Sequence, residues 1–149
     1  MAKIKISSRD NTPATYTRES TIGSQWRHKF SEGDLETHVY HYHLAGPDQP
    51  ALFEIVVEPG GELSPHGHKG DEILYILDGE MHLGGRVLRP GASVHIPAMT
   101  AYLIKAGPTG LTFLNFWSRA DGIAYLHRDD LLAMRGSADA VAAPELVED

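Results

Sequence analysis

Short segments of alternating apolar and polar residues, cut apart by glycine and proline, run through the middle of this chain. A period of two places successive side chains on opposite faces of an extended strand. The pattern predicts strands at about Leu35–His43, Leu52–Val57, Glu72–Leu77, Met81–Leu83, Arg86–Leu88, Ser93–Ile96, Tyr102–Lys105 and Thr112–Trp117. Between them stand Gly46-Pro47, Pro59-Gly60-Gly61, Asp78-Gly79, Gly84-Gly85, Pro90-Gly91 and Gly107-Pro108, the turn signals expected of a sandwich or barrel. Gly84-Gly85 reads as a two-residue hairpin, since both residues tolerate positive φ. Only Asp129–Arg135 reads as a helix, with Asp129 as its cap and Gly136 as its stop. With no crossover helices, a parallel α/β architecture is disfavoured and the expected fold class is all-β.

The ends differ from the middle. Ser7 to Ser24 is polar and rich in Ser and Thr, and Gly136 to Asp149 is Ala-rich and acidic. The expected organisation is an N-terminal arm or edge strand over 1–24, a β-barrel over 25–127, and a short helix with a flexible acidic tail over 128–149. At 149 residues the chain suits one domain, and 42% hydrophobic with 22% charged residues is an ordinary globular balance. A net charge of −7 with scattered basic residues argues against nucleic acid as a partner. The absence of cysteine removes disulfide and thiolate chemistry. No apolar run reaches signal-peptide or membrane-span length, so a cytoplasmic protein with no membrane partner is expected.

Against that background one stretch carries chemistry: Gly60-x5-His66-x-His68-x3-Glu72-x6-Gly79. On an extended strand His66 and His68 share a face, and Glu72 opens the next strand in phase with Leu74 and Ile76. If that face lines a barrel, two imidazoles and a carboxylate meet at its mouth. Burying them costs several kcal/mol unless something pairs with them, and one divalent cation does so. Iron, manganese, nickel and zinc all accept such donors, and three protein ligands leave positions open for water or substrate. The alternative is a polar pocket in which the histidines only hydrogen-bond.

The same stretch matches the first signature of the cupin superfamily at every fixed position, and Gly91-Ala-Ser-Val-His-Ile-Pro97-Ala-Met-Thr-Ala-Tyr102 resembles the second. The resemblance runs from about Leu52 to Trp117. It implies a small double-stranded β-helix, a jelly-roll-like barrel that is commonly a homodimer. It also implies one divalent metal per chain, iron foremost, on His66, His68 and Glu72. Tyr102 stands where the family's fourth ligand, a histidine, usually lies; Ala92, Met99 and Ala106 replace the pattern's Asp, Gly and Asn. Three readings stay open: Tyr102 as metal ligand or nearby acid/base, a three-ligand site of two histidines and a carboxylate, or a metal-free pocket.

Other residues are read more plainly. His95 is either a replacement ligand or part of the barrel wall, and His82 is structural. His41 and His43 share a strand face that is expected to meet solvent or a partner subunit. Phe113, Asn115 and Trp117 are read as core packing, with the strand's other face meeting a partner subunit, or, together with Tyr75, Met81 and Met99, as a hydrophobic substrate pocket above the metal. The resemblance to oxidising cupins implies an oxidoreductase, an Fe(II)-type dioxygenase acting on a small aromatic or dicarbonyl-like substrate. The rivals are a metal-assisted isomerase, cyclase or lyase with Tyr102 as acid/base, and a non-catalytic cupin that binds a small ligand or senses metal.

Overall fold

In the computed structural model of the chain, residues 1–24, 27–135 and 145–148 are described. The strands are β1 (Thr15–Tyr16), β2 (His38–His43), β3 (Ala51–Val57), β4 (His66–His68), β5 (Glu72–Leu83), β6 (Arg86–Leu88), β7 (Ser93–Ile96), β8 (Ile104–Trp117) and β9 (Tyr125–His127). Among the described residues the α-helices are α1 (Thr17–Ser20), α2 (Glu32–Glu36) and α3 (Arg128–Arg135). The tail expectation for Gly136 onward, with Gly136 as helix stop, falls mostly outside the described residues.

The long strand β5 organises the molecule. It pairs antiparallel with β8 along its length, with β7 over Glu72–Tyr75 and with β6 over Met81–Leu83. The main sheet runs β1-β2-β3-β8-β5-β6, with β7 also on β5, while β4 and β9 make a separate ribbon. On β5 the side chains of Glu72, Leu74 and Ile76 are buried, while Ile73, Tyr75 and Leu77 are exposed. On β8 Leu111, Phe113, Asn115 and Trp117 point inward in the same way. The core between them is apolar: Leu74, Ile76, Met81, Ile104 and Phe113 are each at most 1% exposed. Each contributes roughly 1.5–3 kcal/mol of burial.

Several sequence expectations are corrected here. Glu72–Leu77 and Met81–Leu83 are one strand, because Asp78-Gly79 forms bulges rather than a turn. Tyr102–Lys105 and Thr112–Trp117 likewise merge, Tyr102 itself making only an isolated bridge to His66. Between the pairs Met81↔Ala106 and Gly79↔Leu111, β8 carries extra residues, and Pro108 sits in that bulge, where its missing N–H breaks no ladder. Leu35 belongs to α2 instead of a strand. Its start is fixed by Ser31, whose hydroxyl accepts from Asp34 N, while Asp34 Oδ2 accepts from Ser31 N at 2.7 Å. Asp129 lies inside α3, not at its cap. Among the described residues, no helix is long and apolar enough to cross a membrane.

The N-terminal segment is tied to the outside of β2 and β3. Ser7 Oγ donates to Tyr42 O at 2.7 Å, and Arg9 Nε donates to the buried Glu54 carboxylate at 2.8 Å. The Tyr42 hydroxyl donates to the same carboxylate. Glu54 is thereby satisfied by two elements far apart in sequence.

Candidate functional site

At one end of the barrel β4 brings His66 and His68 beside the start of β5 and the end of β8. The close approach depends on glycine. A Cβ on Gly67 would lie 2.5 Å from Thr100 O, and one on Gly70 would lie 2.7 Å from Gly122 Cα. The second contact lets Gly70 N donate to Gly122 O and brings the Ile123 carbonyl to His68.

Both imidazoles are anchored through Nδ1. His66 Nδ1 lies 2.6 Å from Ser64 O, and His68 Nδ1 lies 2.8 Å from Ile123 O. A carbonyl oxygen only accepts, so each Nδ1 carries the hydrogen and donates. In the neutral ring Nε2 then holds the lone pair, the tautomer a metal ligand needs. Burial first, and then the neighbouring His68, push the His66 pKa down to about 4, which keeps that ring neutral. Its anchor is itself anchored, because Ser64 N donates to buried Asp34 at 3.0 Å.

Glu72 is 1% exposed. Its Oε2 accepts from Asn115 Nδ2 at 2.9 Å and lies 3.9 Å from His68 Nε2, whereas its Oε1 has no hydrogen-bond partner. Tyr102 is fixed opposite His66 by a reciprocal backbone pair of 2.8 and 3.0 Å, their rings 4.7 Å apart. Burial, and next the charge of Glu72, push the Tyr102 phenol well above its usual pKa, so it is a protonated donor. Among the described residues no three His, Asp or Glu side chains stand close enough together to hold a metal ion as placed. The fit to a divalent ion is one of donor type: two Nε2 lone pairs and one unpartnered, buried carboxylate oxygen.

The two imidazoles and Tyr102 border a cavity of about 400 Å³, with buried Glu72 behind its lining. Phe53, Phe113, Trp117 and Tyr125 give it aromatic walls, and His66, His68, Tyr102 and Asn115 also line it. Tyr125 stacks on His66, with ring centroids 4.5 Å apart and planes 12° apart. Its phenol is raised above its ordinary pKa by burial and then by Asp34.

Of the pocket residues expected from sequence, Phe113, Asn115 and Trp117 line this cavity. Tyr75 does not: an odd step from Leu74 and Ile76, it is 44% exposed on the outer face. His95 is likewise exposed, one residue before buried Ile96, and pairs with Asp71 at 3.3 Å; it is no replacement ligand. Met81 is buried in the apolar core beyond the Gly79 bulge. Met99 lies outside the cavity lining, and its N–H donates to His68 O at 2.8 Å. Met99 also has φ 62°, so the left-handed backbone persists where the cupin pattern has glycine.

Sequence reasoning missed Asp34, Phe53 and Tyr125, which reach the site from distant elements, and misread His41. That imidazole is half-buried in the cavity wall, edge-on to Phe53 at 4.5 Å, instead of facing solvent. A register shift between His41 and His43 breaks the parity that had put them on one face.

The cupin-domain family model matches residues 53–110. Folds like this one occur in an RmlC-like cupin from Shewanella frigidimarina, with TM-score 0.60 and 19% identity over 79% of this chain and 93% of that one. The polyketide cyclase RemF from Streptomyces resistomycificus gives TM-score 0.62 and 20% identity over 89% and 94%. A protein provisionally named an acetylacetone dioxygenase, from Methylibium petroleiphilum, gives TM-score 0.57 and 16% identity over 92% and 100%. No curated protein matches the sequence. Residues 53–110 thus resemble a cupin domain, and the fold is a double-stranded β-helix with a short C-terminal helix. At these identities the structural likeness is one of fold alone.

Proposed function

We propose that the protein is a metal-dependent cupin enzyme, an Fe(II)-type dioxygenase acting on a small aromatic or dicarbonyl-like molecule. One observation supports this most: two imidazoles anchored through Nδ1 line an aromatic cavity, with a buried carboxylate that has a free oxygen beside them. His66, His68 and Glu72 would hold the ion. Bound there, iron supplies Lewis acidity and the electron-transfer chemistry that couples an organic substrate to dioxygen. The rest falls to the protein. Phe53, Phe113, Trp117 and Tyr125 hold a flat substrate and exclude water, and the protonated Tyr102 hydroxyl donates to a substrate oxygen. A cavity of about 400 Å³ suits a small molecule of this kind.

The neutral phenol of Tyr102 also favours a second reading, a metal-assisted cyclase, isomerase or lyase in which that hydroxyl moves a proton. The fold shared with a polyketide cyclase is compatible with it. Oxygen uptake separates the two. Fe(II)-loaded protein given acetylacetone or catechol should consume dioxygen, and His66→Ala should lower the rate at least about 100-fold. Conversion that proceeds without oxygen and falls about 100-fold or more in Tyr102→Phe would transfer the assignment to the second reading. Failure of the protein to retain any divalent ion would sink both and leave a ligand-binding cupin.

A further inference from the structure

Asn115 is out of keeping with its surroundings. It occupies an inward position of β8 between Phe113 and Trp117, is 3% exposed, and its Oδ1 has no partner. Burying an amide with an unpaired acceptor costs roughly 1–3 kcal/mol, which an apolar side chain in that row would avoid. The amide does make one bond. Its Nδ2 donates to Glu72 Oε2 at 2.9 Å, across paired strands whose register sets Glu72 opposite Trp117 and Leu74 opposite Asn115. The orientation of the amide follows from the partner, since a carboxylate oxygen only accepts and the nitrogen must face it.

We infer that Asn115 is a positioning residue for Glu72 as a cation ligand: its amide holds Oε2, the oxygen 3.9 Å from His68 Nε2, and leaves Oε1 without a hydrogen bond. The inference rests on the metal-site reading above. The bond restricts the rotation of the carboxylate and fixes which of its two oxygens is free. A group that orients a ligand in this way typically governs 10–100-fold in metal affinity. A residue that only touched substrate through Oδ1 would leave metal affinity alone and change KM.

The test is Co(II) titration of chelator-stripped protein, read by competition with a chromophoric chelator and by the visible spectrum of the bound ion. Asn115→Leu, of the same branching pattern but without the donor, should weaken Co(II) binding about 10–100-fold and alter the spectrum. Asn115→Ser, which keeps a short donor, should recover part of the affinity. Leu111→Val, inward on the same strand and remote from Glu72, should bind within about threefold of the parent. If Asn115→Leu does not fold, Asn115→Ala carries the same expectation. Affinity within threefold of the parent in the Leu or Ala variant, or an equal loss in Leu111→Val, would overturn the inference while leaving the metal site standing. A parent protein that binds no Co(II) overturns both.

Discussion

Glu72→Gln should bind divalent ions at least about 100-fold more weakly than the parent, yet melt no lower than the parent in metal-free buffer. The second half of this expectation follows from burial. The carboxylate is 1% exposed, one oxygen takes a hydrogen bond from Asn115, and the other takes none. A carboxylate so placed carries a desolvation penalty of several kcal/mol that neutral donors, Asn115 and the Tyr102 phenol, do not offset. Glutamine keeps the shape and can still accept from Asn115 Nδ2, but it brings no charge. Without a cation the substitution therefore relieves the barrel.

With a cation the order inverts. Ligand at 100 times its Kd stabilises the folded parent by about 2.7 kcal/mol, and the variant forgoes that gain. The measurement is a pair of thermal melts, in chelator-treated buffer and in excess Mn(II), with elemental analysis of both proteins. A Gln variant that melts well below the parent without metal would mean that Glu72 is structural. One that retains metal at parental levels would remove the residue from the site.

How much of this was legible in the sequence depends on how local each feature is. Glu72, Leu74 and Ile76 alternate inward as their spacing requires, and His66 and His68 come together across one intervening glycine. Those placements need only the two-residue period of a strand. Tyr75 and His95 follow the same rule outward: each is one step out of phase with a buried neighbour, so the period already argued against placing them in the pocket. Bulges were less legible. Asp78-Gly79 and Gly107-Pro108 have the composition of turns but lie within β5 and β8, where long pairing across the sheet outweighs local turn preference. Least legible were Asp34, Phe53, His41 and Tyr125. They meet the histidines only because α2, β2, β3 and β9 close over the barrel mouth, and no spacing within one segment encodes that.

The two outer glycines of the signature separate in the same terms, and substitution of each by alanine should show it. Gly60 has φ +69° with no atom within 4 Å of an added Cβ. Gly60→Ala therefore meets only the left-handed backbone cost of about 1–2 kcal/mol, part of it offset by a less flexible unfolded chain. Gly79 has φ +75°, and an added Cβ would lie 2.0 Å from Gly110 O and 2.7 Å from Gly110 C. The obstacle is backbone that cannot swing aside, because Leu111 is the partner of both Gly79 and Val57 across the two sides of β8. Overpacking adds to the conformational cost, for a total of roughly 3–5 kcal/mol, or a Tm lowered by about 10 °C in a chain of this length. Urea and thermal unfolding of the two variants should place Gly79→Ala well below Gly60→Ala. Equal losses would mean that both glycines serve only their dihedral angles. The difference reaches the site, since the β5–β8 crossing at Gly79 sets the register that puts Glu72 opposite Trp117. A one-residue slip there would turn Glu72 and its inward neighbours out of the barrel, so the last glycine of the signature holds the carboxylate at the mouth from seven residues away.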